Sequence, residues 1–205
     1  MEPLIEPTIY IVDDDNSVRD SLALLLNFRG FRTREFASAE DFLDAWRPDW
    51  RGCLLLDLRM TGMDGLALQQ TLGERGSHLP IVFLTGHGDI AHARAALKAG
   101  AVDFLEKPID HEALFQSLAE AMRKNSELQE AERRQADLES RIGRLSERER
   151  QVMERVVAGQ HNREIAAELE ISPRTVEVFK ARMMEKMQAR TVPELVKLVL
   201  ESKRP

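Results

Sequence analysis

The chain has 205 residues, 43% of them hydrophobic, a single cysteine and a formal net charge of −6. That length allows one large domain or two small ones, each with a core of its own. One cysteine excludes an internal disulfide. With no leader-like segment and no apolar run of membrane length ("LALLLNF" at 22–28 is far too short), a cytoplasmic protein without a membrane partner is expected.

The first predicted element is a strand at 8–12, where Ile9, Tyr10, Ile11 and Val12 run without polar alternation, as in a buried strand. It ends in three consecutive carboxylates, Asp13, Asp14 and Asp15, whose mutual repulsion is costly unless something positive joins them. A turn with a helix N-cap is one reading of this triplet. An EF-hand loop is excluded by spacing, since Val18 stands at position 6 and Leu24 at position 12. A divalent-cation site at the end of a central strand is the third reading.

A helix follows with Val18, Leu22 and Leu25 on one face, then a weak strand at 31–36. Ser38 with Asp41 predicts a capping box before Phe42 and Leu43. Strands are predicted at 53–57 ("CLLLD"), 80–85 ("PIVFLT") and 101–105 ("AVDFL"), separated by the helical stretches "GLALQQTL" and "IAHARAALKAG". Gly100 closes the second of these helices as its C′ residue. Strands alternating with helices predict a parallel sheet covered on both faces.

From about 110 to 143 the pattern is helical and highly charged. Leu128, Ala131, Gln135, Leu138, Ile142 and Leu145 form a heptad-like stripe, open to reading as a coiled coil or as a solvated linker helix. Beyond it no strand pattern occurs. Ser146 and Glu149 predict a second capping box, Gly159 closes that helix, "NREIAAEL" gives another, and Ser172-Pro173 an N-cap with Pro at the first helical position. Helices to about Met187 and over 192–201 complete a four-helix unit. The charge follows the same division. Residues 1–122 hold 11 basic and 20 acidic side chains, 123–143 five of each, and 144–205 hold 13 and 10. Two domains with different partners are expected, with boundaries at 1–122, 123–143 and 144–205.

In open parallel sheets ligands bind beyond the carboxyl ends of the strands. Here those ends carry chemistry: Asp13 and Asp14, then Asp57, then Thr85, with Lys107-Pro108 just past the last strand. Hard carboxylate oxygens suit Mg²⁺. Asp57 is placed to be a nucleophile towards phosphorus, with Lys107 and Thr85 holding the phosphoryl oxygens.

The ordered series "VDDD … LLLDLRM-GMDG … FLTGHGD … GAVDFLEKP" resembles a response-regulator receiver domain over residues 7 to about 122. The resemblance implies a flavodoxin-like, doubly wound α/β fold. It also implies an acidic metal pair in Asp13 and Asp14, a phospho-acceptor in Asp57 and a main-chain metal ligand in the Arg59 carbonyl. Thr85 takes the place of the switch hydroxyl, Lys107 that of the phosphoryl-binding lysine and Phe104 that of the aromatic rotamer switch. Thr61 departs from the pattern, which usually has Pro there, and a looser loop after Asp57 is the expectation. A haloacid-dehalogenase-like phosphatase fits less well, because it needs a second Asp where this chain has Arg59. No P-loop is present to make an ATPase.

Residues 145–188 resemble the LuxR-type helix-turn-helix, so the whole chain is similar to NarL/FixJ-family response regulators, FixJ branch. In the last long helix Val176, Phe179, Met183 and Met187 make a core stripe. The other side offers Arg174, Thr175, Glu177, Val178 and Ala181 for base edges, with Lys180, Arg182 and Lys186 for phosphates. The histidines 78, 87, 92, 111 and 161 show no metal spacing and are read as non-functional. The implied protein is a transcription factor and not an enzyme beyond its own phosphoryl transfer and dephosphorylation. Its implied partners are a sensor histidine kinase, double-stranded promoter DNA, RNA polymerase and, once phosphorylated, a second copy of itself. The alternative is a signalling receiver with a protein-binding tail.

Overall fold

A computed structural model describes residues 7–86 and 90–201, with backbone alone over 90–93 and at 201. His87 and the side chain of His92 therefore lie outside the described residues. The chain divides into two compact units, the break falling after Gln129.

The first unit holds five parallel strands: β1 (Thr8–Val12), β2 (Arg32–Phe36), β3 (Gly52–Asp57), β4 (Ile81–Thr85) and β5 (Asp103–Glu106), of which β1, β3 and β4 are the apolar runs. They lie in the order β2-β1-β3-β4-β5. Between them run α1 (Asn16–Phe28), α2 (Ala39–Ala45), α3 (Gly65–Glu74) and α4 (Ile90–Lys98), and α5 (His111–Gly143) follows. Successive strand residues point to opposite faces, so the continuous apolar runs feed two cores. Tyr10, Val12, Leu54, Leu56 and Phe83 pack with Phe42 of α2 and Leu68 of α3. Ile9, Ile11, Leu55, Val82 and Leu84 pack with Leu22 and Leu26 of α1 and Leu114 and Leu118 of α5. A sheet buried on both faces is why these strands lack polar alternation.

Two local expectations shift. β5 begins at Asp103 instead of 101, because it is the sheet's edge and exposes alternate residues that an apolar-run reading passes over. Ser38 caps α2 through the Asp41 N–H, 3.0 Å away, without the reciprocal half of a capping box. A capping box uses the longer Glu or Gln.

The second unit is helical: α6 (Glu147–Val157), α7 (Asn162–Glu168), α8 (Pro173–Met187) and α9 (Val192–Glu201), with the end of α5. The Ser146–Glu149 box forms as expected, and Pro173 opens α8 behind the Ser172 cap. Val176, Met183 and Met187 are fully buried and Phe179 packs beside them. Leu138 and Leu145 are buried in this same core and Ile142 packs against it. Half of the heptad-like stripe is thus already covered within one chain.

Candidate functional site

The three aspartates after β1 separate into three tasks. Asp13 is fully buried; its Oδ1 accepts the Asp15 N–H at 2.9 Å and its Oδ2 a bond from Lys107 Nζ at 2.6 Å. Asp14 is exposed, and its Oδ2 accepts the Thr61 backbone N–H at 2.9 Å. Asp15 is the N-cap of α1, accepting the Ser17 N–H at 2.8 Å. The N-cap reading therefore fits the third residue, and the first two are left to a different purpose.

Asp57 ends β3, next to β1 in the sheet, where the strand order reverses. Its Oδ1 accepts a second bond from Lys107 Nζ, 2.7 Å away. One carboxylate oxygen from each of Asp13, Asp14 and Asp57 lies within 4.8 Å of the others. Thr85 is buried at the end of β4, and its carbonyl receives the Lys107 N–H at 2.8 Å, which fixes the lysine's backbone beside the cluster. Gly65 opens α3 hard against this edge: a Cβ there would collide with the Asp57 carbonyl oxygen. Only glycine lets the helix start so close to the strand end. Arg59 follows β3 in the exposed loop, and Phe104 on β5 is 40% exposed.

The charges explain the titration behaviour. Burial pushes the Asp57 carboxyl above the usual carboxylate range; the Lys107 bond opposes this, while the Asp13 and Asp14 charges add to it. Burial pulls Lys107 down, but its bonds to Asp13 and Asp57 outweigh that and hold it above the ordinary lysine value. Three carboxylates and one ammonium give the cluster a formal charge of −2. An all-oxygen donor set with that charge fits a hard divalent cation.

In the second unit α7 and α8 are joined by a short turn in which Glu170 takes a left-handed conformation, φ 56°. On α8, Arg174, Glu177, Val178, Ala181 and Arg182 are exposed and Lys180 is half-buried. Thr175 serves the cap, its N–H donating to Ser172 Oγ at 3.1 Å. Lys186 is engaged within the fold: its Nζ lies 2.5 Å from Oε2 of the buried Glu149. That contact, with the Ser146 bonds, holds the Glu149 carboxyl below its usual range.

Sequence reasoning missed two features. Glu40 of α2 accepts the Met63 N–H at 2.9 Å, and nothing in its local pattern announces this. The Thr61 bond to Asp14 was detectable in principle, because a non-proline at 61 carries an N–H that proline lacks. The loop is tied at this point, where loosening was expected.

Comparison with known proteins agrees with this geometry. Residues 9–119 match the response regulator receiver domain, and residues 143–199 match the bacterial regulatory proteins of the luxR family. The chain belongs to the NarL/FixJ family of response regulators. It is 45% identical over 192 residues to the transcriptional regulatory protein FixJ of Azorhizobium caulinodans, covering 94% of this chain and 91% of that one. With FixJ of Rhizobium meliloti it shares 46% over 198 residues, covering 94% and 95%. Among solved structures it resembles the response regulator StyR with a TM-score of 0.86 at 42% identity, covering 95% of this chain and 98% of that one. Full-length FixJ from B. japonicum gives a TM-score of 0.60 at 43% identity, covering 97% and 98%. A receiver joined to a LuxR-type DNA-binding domain makes this response regulator a phosphorylation-controlled transcription factor, which implies a histidine kinase partner and a DNA target. No described helix is long and apolar enough to cross a membrane.

Proposed function

We propose that Asp57 is the phospho-acceptor of this regulator, on one observation above the rest: a buried carboxylate at a strand end sharing an ammonium with Asp13. In the transfer, an Asp57 oxygen forms a bond to the phosphorus of the kinase's phosphohistidine as the phosphorus–nitrogen bond breaks, the electron pair returning to the imidazole. Lys107 stands ready to follow the new phosphoryl oxygens, and Thr85 to hydrogen-bond them. Asp13, Asp14, Asp57 and the Arg59 carbonyl would hold Mg²⁺, which when bound would supply charge neutralisation for the incoming phosphoryl group. Phe104 and Thr85 act as the switch pair, reshaping the face that residues 89–99 and 101–118 compose; residue 89 lies outside the described residues.

The second unit binds promoter DNA. Arg174, Thr175, Glu177, Val178 and Ala181 face base edges, while Lys180 and Arg182 face phosphates, with Lys186 reaching DNA only if it leaves Glu149. Phosphorylated receivers pair, two DNA-binding units then engage one operator in the cytoplasm, and RNA polymerase is the downstream partner. The protein's own chemistry is confined to acquiring and losing its phosphoryl group. The test is labelling by a small-molecule phosphodonor with and without Mg²⁺: wild type takes up one phosphoryl group per chain with Mg²⁺, and Asp57→Asn none. Stoichiometric labelling of the Asn variant would overturn the assignment.

A further inference from the structure

The loop from Leu58 to Asp64, between β3 and α3, holds the chain's one departure from the receiver pattern, Thr61 in place of Pro. Proline has no N–H to give. In this chain the residue has one, and it donates to Asp14 Oδ2 at 2.9 Å. Two residues on, the Met63 N–H donates to Glu40 Oε1 at 2.9 Å. Between them Gly62 turns the chain with φ +80°, and a Cβ there would press on Glu40 Oε1 at 2.8 Å. Two carboxylates, one from the turn between β1 and α1 and one from α2, thus hold the loop on either side of one glycine.

The Asp14 bond bears on the cation site. Asp14 is the exposed member of the carboxylate cluster, and packing does not fix its rotamer as it fixes those of Asp13 and Asp57. An exposed carboxylate samples several rotamers, and each must be given up when a cation is bound. A backbone N–H on one oxygen selects a rotamer in advance and leaves the other oxygen free to coordinate. Outer hydrogen bonds of this kind orient ligands in metal sites generally. We propose that the Thr61 backbone N–H is a positioning group for the cation site, holding Asp14 in its ligating pose so that this regulator binds Mg²⁺ more tightly than the Pro-containing pattern allows. The inference rests on the reading of Asp13, Asp14 and Asp57 as the cation ligands.

Thr61→Pro removes the donor and restores the residue usual in the receiver pattern at this place. The φ of +80° at Gly62 suits the third residue of a type II turn, a turn that accepts proline at the position before it. Thr61→Ala keeps the N–H and removes only the side chain. In calorimetric Mg²⁺ titrations of the full-length chain, Thr61→Pro binds about 10-fold more weakly than wild type, at the lower end of what outer-shell groups contribute because Asp14 is exposed. Thr61→Ala stays within about twofold. Phosphodonor labelling separates positioning from damage: the half-saturating Mg²⁺ concentration of Thr61→Pro rises by the same factor, while its rate at saturating Mg²⁺ equals that of wild type. Equal Mg²⁺ affinity of wild type and Thr61→Pro overturns the proposal. So does an equal loss in Thr61→Ala, which assigns the effect to the side chain, or a labelling defect that saturating Mg²⁺ does not repair. Absence of saturable Mg²⁺ binding in wild type overturns the underlying site reading instead.

Discussion

Replacing Asp57 by Asn removes one charge from a crowded cluster and is expected to stabilise the metal-free protein. The carboxylate is buried, has Lys107 Nζ 2.7 Å away, and has Asp13 and Asp14 oxygens within 4.8 Å. Unit charges about 4 Å apart interact by roughly 4 kcal/mol at an effective dielectric near 20, attractive or repulsive. One attraction against two repulsions and the cost of burial leaves the charge disfavoured, the direction in which the carboxyl titrates. The contributions largely cancel, so a net gain of about 1–2 kcal/mol is expected for the Asn variant at pH 7, raising the melting midpoint by about 4 °C per kcal/mol in a domain of this size. The chain's two tryptophans, Trp46 and Trp50, both belong to the first unit, so their fluorescence reports its unfolding alone in the full-length protein. The pH dependence gives the decisive control. A raised carboxyl pKa means that the folded state holds the proton more tightly than the unfolded one. The stability this contributes is present below the ordinary value, about 3.9, and is lost as pH rises through the folded value. Wild type and Asn variant should therefore nearly coincide around pH 4 and diverge towards neutrality. Mg²⁺ should narrow the gap again, because it binds the folded wild type better than the variant. A variant less stable than wild type at pH 7 without metal, or a gap that ignores pH, would refute the electrostatic account.

Glu149→Gln should destabilise the second unit at neutral pH by about 1–3 kcal/mol, the worth of a hydrogen bond to a charged group. Because Glu149 titrates low, its contribution is present above the ordinary carboxylate range and lost as pH falls through the folded value, so melting curves by circular dichroism should converge in acid. Lys180→Ala or Arg182→Ala should weaken binding to all DNA sequences and reduce the salt slope by about 1, whereas Glu177→Ala or Val178→Ala should change the preferred bases; gel shifts across salt and operator variants separate the two. A fragment begun at Arg144 leaves out Leu138 and Ile142 and should melt below one begun at Glu130, by about 2–5 kcal/mol if Leu138 behaves as a truncated core leucine. Equal melting of the two fragments would show that α5 adds nothing to that core.

The sheet was legible because its three inner strands, β1, β3 and β4, are buried on both faces and so read as unbroken apolar runs. The polar residues that end those runs stood out for the same reason. The distribution of work among Asp13, Asp14 and Asp15 was not legible. Three identical side chains in a row differ only in what the fold sets opposite them: Lys107 from 94 residues away, the Thr61 N–H from 47, and the first turn of α1. Lys186 misled in the same way. A cation on the flank of a predicted recognition helix looks solvated until Glu149, 37 residues earlier, is found buried beneath it. Local pattern announces a residue's direction from its own element, but the partner belongs to another element.

The stripe along α5 shows how far such reasoning from pattern reaches. A repeat of three and four residues means only that the side chains share one helix face; it does not say what covers that face. In this chain the face is divided. Leu114, Leu118 and Ala121 at the start of α5 serve the sheet, while Leu138, Ile142 and, just past the helix, Leu145 serve the second core. Between the two lie residues that neither core buries, Ala131 exposed and Gln135 half-buried. This stretch carries its support on the surface, in pairs such as Arg134 with Glu130 and Gln135 with Glu139, each four residues apart. Such pairs contribute about 0.2–0.5 kcal/mol each, far less than the core contacts on either side. The helix is therefore weakest where the two units divide. Within one chain, the described residues of α5 thus form two buried stretches, one in each core, joined by a solvated stretch held by surface pairs.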